Sequence, residues 1–158
     1  MIYKTYYQTP LGWAEIMADD EAILRIELVD QPRHKDLLDK KNVDSGVLKK
    51  CIKELDEYFR GERKNFSVKL KKQGTDFQKN VWDALETIPF GKTVSYEDIA
   101  MKIGNKKAVR AVGLANGKNP HWIIVPCHRV IGKSGKLTGY ASGLDRKEWL
   151  LEHEKRVA

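Results

Sequence analysis

Hydrophobic and polar positions alternate in three short runs near the start of the chain: Ile2 to Gln8, Trp13 to Met17 and Ile23 to Val29. A period of two sends successive side chains to opposite faces, so each run predicts a strand with one face toward a core. Pro10-Leu11-Gly12 and Ala18-Asp19-Asp20 separate the runs with turn-forming residues, which predicts a small antiparallel sheet. After Ser45 the spacing becomes helical, with Val47, Leu48, Cys51, Ile52, Leu55, Tyr58 and Phe59 on one stripe, Ser45 as the cap and Gly61 as the stop. Cys51 lies on that stripe and reads as a packed core thiol. Phe66 to Leu70 is a candidate to return to the sheet, and the polar KKQGTD stretch after it reads as a linker.

The second half opens with a capping box, Thr75-x-x-Gln78, ahead of a helix carrying Phe77, Val81, Trp82, Leu85 and Ile88, with Pro89 and Gly91 as its stop. Ser95-x-x-Asp98 starts another helix, Tyr96 to Ile103, which Gly104 breaks. A third is expected from about Lys106 to Asn116, where Ala108, Val109, Ala111, Val112 and Ala115 interleave with Lys107 and Arg110. Two short helices joined through a glycine, the second basic and rich in small residues, are a helix-turn-helix signal. An apolar segment (Trp122 to Val125), a glycine-rich stretch (Gly132 to Gly143) and a last helix capped by Asp145-x-x-Glu148 complete the chain.

Charge sharpens the picture because it is unevenly placed. Residues 1–70 hold 13 basic and 13 acidic side chains, whereas residues 71–158 hold 16 against 9, the whole of the net +7. Between Ile99 and Leu144 there are eight basic residues (Lys102, Lys106, Lys107, Arg110, Lys118, Arg129, Lys133, Lys136) and no acidic one. A solvated face normally mixes both signs, so this segment points to a polyanion such as nucleic acid. The apolar content of 41% is that of a globular protein, with no leader pattern and no run long enough to span a bilayer, so a cytoplasmic protein that does not engage membranes is expected. Two cysteines, Cys51 and Cys127, are too few for a disulfide framework and form no C-x-x-C pair. They are read as free thiols, with no metal and no cofactor expected.

Chemistry concentrates at Pro126-Cys127-His128-Arg129-Val130. A thiol beside an imidazole and a guanidinium has neighbours that favour its thiolate, the attacking species. If the segment is extended, Cys127 and His128 point to opposite faces, and the histidine reaches the sulfur only across a bend or through a water.

Asn119-Pro120, IIVPCHRV, the following Gly-x-Leu-Thr-Gly-Tyr loop and RKEWLLEHE, with KTVSYEDIA and AVRAVGLANGKNP before them, together resemble the O6-alkylguanine-DNA alkyltransferases, also called methylated-DNA-protein-cysteine methyltransferases. The likeness is dense from about Gln73 to Lys155 and looser elsewhere. It implies a two-domain α/β (α+β) protein: a ribonuclease-H-like antiparallel sheet domain over residues 1–72 and a winged helix-turn-helix domain with the active-site cysteine over residues 73–158. The implied activity is direct reversal of DNA damage. A guanine alkylated at O6, with O4-alkylthymine as a second candidate, is flipped from the duplex and its alkyl group passes irreversibly to Cys127, once per molecule.

By the same resemblance, His128 takes the proton of Cys127 through water, Glu154 holds His128 in the useful tautomer, Asn119 braces the turn and Tyr96 donates to the departing base. Glu154 lies four residues beyond Leu150, which suits an inward-facing position on the last helix. Arg110 corresponds to the finger that fills the gap left by the flipped nucleotide. Lys106, Lys107, Ala108, Ala111, Gly113, Ala115 and Arg129 are implied in DNA binding, the small residues because they let backbone approach the minor groove. Tyr96, Cys127, Val130, Tyr140 and Ala141 are implied around the base, with the carbonyls of Cys127 and Val130 reading its exocyclic amine. The expected partner is double-stranded DNA containing alkylated guanine, bound by a protein that is a monomer in solution. His34, His121 and His153 are left without a role, as solvated or packed side chains. A purely regulatory helix-turn-helix protein has no need of Cys127, an alkyltransferase-like protein lacks it, and a cysteine hydrolase has no need of the basic helix.

Overall fold

The computed structural model describes every residue except Lys136, Thr138 and Ala141. The chain divides into two compact units, residues 1–72 with Pro120–Trp122, and residues 73–119 with 123–158. Pro120–Trp122, which the sequence reading places in the second domain, therefore packs with the first unit.

The first unit is built on a three-stranded antiparallel sheet of β1 (Tyr3–Thr9), β2 (Gly12–Ala18) and β3 (Ile23–Val29), in sequence order. Alternation does what the pattern requires: Ala14, Ile16 and Ala18 of β2 are buried. The β1–β2 turn is held by Thr9, whose hydroxyl donates to Gly12 O at 2.7 Å and accepts from Leu11 N at 2.9 Å. Two single-turn helices follow, α1 (His34–Leu38) and α2 (Lys40–Asp44). They left no hydrophobic stripe to find, since α1 buries no side chain and α2 buries only Asn42, which accepts from Lys4 N at 2.9 Å and donates to Asp36 O at 2.9 Å.

Helix α3 (Gly46–Phe59) is capped by Ser45, which accepts from Leu48 N, and buries Leu48, Cys51, Leu55 and Tyr58. Cys51 is packed in the core, and burial pushes its thiol up to about 12. The segment after α3 does not form a full strand. It meets the sheet at one bridge, Ile23 with Leu70, while Pro120–Trp122 adds another through Ile26 and His121. His121 is fully buried and its Nε2 donates to Ile23 O at 2.9 Å.

What anchors the returning segment is an acid that the hydrophobic pattern does not flag. Glu54, on the buried face of α3, accepts from Ser67 N (2.9 Å), Ser67 Oγ (2.6 Å) and Val68 N (3.0 Å). Burial opposes its ionisation, but these hydrogen bonds and Arg63 outweigh it and hold the carboxyl below its ordinary range.

The second unit places its helices so that a short turn is enclosed. Helix α4 (Asp76–Leu85) begins at the expected capping box, with Thr75 accepting from Gln78 N and Gln78 accepting from Thr75 N. A two-residue strand, β4 (Val94–Ser95), runs directly into α5 (Tyr96–Lys102), whose capping box is Ser95 with Asp98. Helix α6 (Val109–Gly117) starts later than the pattern suggests: Lys106 and Lys107 lie before it and Ala108 is its cap position, with no side-chain cap. Lysines are poorly placed in a first turn, where the helix dipole is positive. After α6 come a single 3₁₀ turn, Cys127–Arg129, a two-residue strand β5 (Val130–Ile131) pairing in parallel with β4, and α7 (Leu144–Val157). Asp145 is not the cap of α7: Gly143, at φ 99°, occupies that position, and Asp145 sits in the first turn, where its charge suits the dipole. Among the described residues, no helix is long and apolar enough to cross a membrane.

Replacing Glu54 by Gln should lower stability by about 2 kcal/mol, because an amide presents a donor to groups that themselves donate. In the wild type the carboxylate's contribution is complete above the unfolded pKa near 4.5 and is lost as pH falls through the lower folded value. Urea unfolding of Glu54→Gln should therefore show a smaller loss of stability on acidification than the wild type does.

Candidate active site

The turn that carries Cys127 is not extended. Cys127 N donates to Val125 O at 2.8 Å, Arg129 N to Pro126 O at 3.0 Å, and Val130 N to Cys127 O, closing one 3₁₀ turn. Asn119 also donates to Val125 O, at 2.7 Å, which ties the segment after α6 to the residue two before the cysteine. Asn116, in the last turn of α6, donates to Cys127 O at 3.4 Å. That carbonyl thus already takes two donors, and these compete with the guanine-reading role the resemblance implies for it. Upstream, Ile123 has φ 72°, a left-handed conformation that a β-branched residue adopts only under strain. Such strain is typically worth about 1–3 kcal/mol and is held here by complete burial, from Trp122 through Val130.

Behind the cysteine lies a buried charged cluster. Glu154 of α7, 1% exposed, receives two hydrogen bonds on each oxygen. Oε2 accepts from His128 Nε2 at 2.6 Å and Arg129 Nη2 at 3.0 Å; Oε1 accepts from Arg129 Nε at 2.7 Å and Gly91 N at 3.4 Å. Arg129 Nη1 donates to Ile88 O at 2.7 Å, and its guanidinium lies 5.6 Å from the centre of the Phe90 ring. Gly91 is left-handed (φ 79°), and a Cβ there would stand 2.8 Å from the Ala158 Cβ. Arg129 was expected to touch DNA. In the structure its side chain is buried, and Nε, Nη1 and Nη2 each donate within the protein, to Glu154 and Ile88 O.

These partners determine the protonation pattern. Burial opposes a charge on Glu154, but hydrogen bonds from His128 and Arg129 prevail and hold it far below the usual carboxylate range. A carboxylate only accepts, so Nε2 of His128 carries the proton. Nδ1 is buried with no hydrogen-bonding partner among the described residues. Burial pushes His128 down despite the pull of Glu154, so the imidazole rests neutral with a lone pair on Nδ1. Burial likewise pushes the Cys127 thiol up, against hydrogen bonds from Asn119 and Tyr140 and the charge of Lys147. The sulfur is therefore a thiol at rest, next to groups that stabilise a thiolate once the proton has somewhere to go.

Lys147 is the functional candidate the sequence reading missed. It is fully buried on α7, and burial pushes its ammonium down. Its Nζ is 5.9 Å from the centre of the Tyr140 ring. The signal was present, because Lys147, Leu150 and Glu154 fall on one helical face by their spacing.

Tyr96 is half-buried at the first residue of α5, where a Cβ added to Gly113 of α6 would be 4.0 Å from its ring carbons. Val130 is buried in β5 beside β4. Ala141 lies outside the described residues. Of the positions expected on DNA, Lys106, Lys107, Arg110 and Ala111 are exposed, Ala108 and Gly113 are half-buried, and Ala115 is buried, its carbonyl accepting from Trp82 Nε1 at 2.9 Å. The outer face of α6 thus runs from Arg110 through Ala111 and Leu114 to Lys118, and a shallow apolar groove toward Phe77 flanks it. His34 is exposed, and His153 is buried with its ring stacked on Trp149 at 5.1 Å. Among the described residues, no three His, Cys, Asp or Glu side chains are grouped so as to hold a metal ion.

Exchanging Glu154 for Gln should destabilise the protein by about 3 kcal/mol or more, since it strands the buried charge of Arg129. The wild-type carboxylate contributes fully above its ordinary value of 4.5 and loses that contribution as pH falls toward its much lower folded value. Thermal melts of Glu154→Gln should accordingly be less sensitive to acid below that pH than those of the wild type.

Comparison with known proteins agrees along the whole chain. Residues 76–156 match the 6-O-methylguanine DNA methyltransferase DNA-binding domain, and residues 2–71 match the ribonuclease-like domain of the same family. A methylated-DNA–protein-cysteine methyltransferase of Methanosarcina acetivorans is 47% identical, covering 97% of this chain and 98% of the relative. The crystal structure of the Mycobacterium tuberculosis O6-methylguanine methyltransferase superposes with a TM-score of 0.86 at 44% identity, over 100% of this chain and 95% of that one. Another structure, of the Mycobacterium tuberculosis OGT in complex with DNA, gives 0.87 at 45% identity, over 99% and 94%. With both family domains present in order and identity sustained over nearly the full length, the chain belongs to the methylated-DNA–protein-cysteine methyltransferase family.

Proposed function

We propose that this protein binds duplex DNA, turns an O6-alkylguanine out of the stack and moves the alkyl group to Cys127 in a reaction each molecule performs once. The observation that carries this reading is the buried His128–Glu154 pair directly after the buried Cys127, with Nδ1 of His128 left as a proton acceptor by the Nε2 hydrogen bond to Glu154. Support comes also from relatives named for transfer from methylated DNA to a protein cysteine, and from a structural neighbour solved with DNA. Residues 1–72 serve as the ribonuclease-H-like domain and residues 73–158 as the alkyltransferase domain. The protein acts as a monomer in the cytoplasm, where its two thiols stay reduced.

In the transfer, the thiol proton passes through a water to His128 Nδ1. The sulfur lone pair forms the new carbon–sulfur bond as the alkyl carbon–oxygen bond breaks, its electrons staying on the base. Tyr96 donates a hydrogen bond to that base, Asn119 and Tyr140 to the sulfur, and Lys147 adds positive charge nearby. On balance a thiol hydrogen replaces the alkyl group on guanine, leaving a thioether. Water does not hydrolyse a thioether as it does the acyl-enzyme of a cysteine hydrolase, so the protein is spent.

Binding uses the face of α6 from Arg110 to Lys118, with Lys106 and Lys107 ahead of it. Small side chains there let the helix backbone approach the minor groove. Arg110 enters the gap in the stack, offsetting an extrusion that costs a few kcal/mol.

Incubation with an oligonucleotide carrying O6-methylguanine should leave a single methyl adduct on the peptide containing Cys127, in a one-to-one ratio with repaired bases. Cys127→Ala should take up no methyl group while Cys51→Ala still does. Many repairs per molecule, or an adduct on another residue, overturns the reading. Arg110→Ala should slow repair of duplex DNA at least about tenfold more than reaction with free O6-benzylguanine, since only the duplex needs a base extruded. Equal losses in single-turnover assays on both substrates would remove the finger role.

A further inference from the structure

Arg129 sits one residue beyond the proposed proton acceptor, yet its side chain is buried in the protein. Its guanidinium meets Glu154 through Nε at 2.7 Å and Nη2 at 3.0 Å, while Nη1 is anchored on Ile88 O at 2.7 Å. The fork–fork arrangement leaves the carboxylate one orientation, the one in which Oε2 stands 2.6 Å from His128 Nε2.

We propose that Arg129 is a positioning residue for the transfer: its two-pronged hold on Glu154 aims the carboxylate at His128 and balances its charge, so that the imidazole rests with Nδ1 unprotonated and ready for the thiol proton. This rests on the function proposed above.

The charges that bear on the imidazole can be named from each side. Helix α7 presents Glu154 and Lys147, the turn itself presents Arg129 and the Cys127 thiol, and α4, packed against the turn, buries only Val81, Trp82, Ala84 and Leu85. With Arg129 in place, Glu154 and Arg129 together carry no net charge. Without it, an uncompensated carboxylate faces His128, and the pair takes up a second proton more readily. The site of the shared proton does not change the outcome. If it stays on Nε2, the second proton goes to Nδ1; if it moves to Glu154, Nε2 becomes the acceptor and Nδ1 again holds a proton. In both cases the thiol loses its acceptor.

The test is the pH dependence of single-turnover transfer from free O6-benzylguanine, which separates this chemistry from DNA binding. In Arg129→Met the acid limb of the rate profile should move to higher pH by about one unit or more, with the rate recovering toward that of the wild type in alkali. Arg129→Lys, which restores the charge without the fork, should shift less than Arg129→Met. A uniform loss of rate with an unmoved profile, or equal shifts in both variants, overturns the proposal. Should Arg129→Met fail to fold, the wild type decides: ¹⁵N spectra of labelled histidine should show His128 protonated on Nε2 alone at neutral pH, and a doubly protonated ring there overturns the proposal. If the wild type accepts no benzyl group, the proposed function fails, and the histidine spectra still judge Arg129.

Discussion

A carboxylate buried to 1% exposure keeps its charge only if it is hydrogen-bonded and paired, and Glu154 imposes that condition on the second unit. It draws donors from two places, the backbone after α4 at Gly91 and the 3₁₀ turn at His128 and Arg129, and its own helix α7 must approach both closely enough to deliver it. Gly91 is a glycine for this reason, since its left-handed backbone turns the N–H toward Oε1 and leaves no room for a Cβ against the end of α7. Arg129 extends the same constraint to the end of the α4 region through Ile88 O. Removing Arg129 leaves the buried carboxylate without its counter-charge, and removing His128 or the Gly91 N–H leaves one of its oxygens a donor short.

That constraint also explains how a buried cysteine is made ready without being ionised at rest. Burial favours the neutral thiol and the neutral imidazole, and the fixed Nε2–H of His128 leaves Nδ1 as the basic atom. In the proposed transfer the proton leaves as the sulfur attacks, and the charge that develops meets Lys147, Asn119 and Tyr140, which already act on the sulfur at rest. A standing thiolate would react with any electrophile. A thiol that ionises only as it reacts leaves selectivity to the groups that bring the base to it.

Helix α6 and the segment just after it are joined to the cysteine turn by two amides. Asn116, in the last turn of α6, donates to Cys127 O, and Asn119, just beyond the helix, donates to Val125 O. The helix with the exposed face from Arg110 to Lys118 therefore holds the cysteine turn by hydrogen bonds rather than through an apolar contact alone. In sequence, Ile123 lies between Asn119 and the cysteine turn, and its backbone is left-handed at φ 72°.

Local patterns in the sequence determined the longer elements and the reactive centre, and missed α1, α2, β4 and β5. Alternation marked β1, β2 and β3, helical spacing marked α3, α4 and α5, capping boxes at Thr75 and Ser95 placed two helix starts, and the PCHRV segment with its companion motifs named the chemistry. These are properties of neighbouring residues, and neighbouring residues suffice to specify them. What a side chain meets across the fold was decided only in three dimensions. Arg129 belongs to a basic run in sequence, yet folds inward because Glu154 lies 25 positions away along the chain and a few ångströms away in space. Glu54 looks like a surface charge on its helix, and the spacing that puts Lys147 on the face of Leu150 and Glu154 does not tell that packing closes over it completely. The 3₁₀ turn at Cys127 replaces an extended segment because Val125 and Pro126 carbonyls find donors within the turn and Ile123 accepts a left-handed backbone. Burial, charge pairing and strain are sums over distant contacts, so these features had to wait for the tertiary structure.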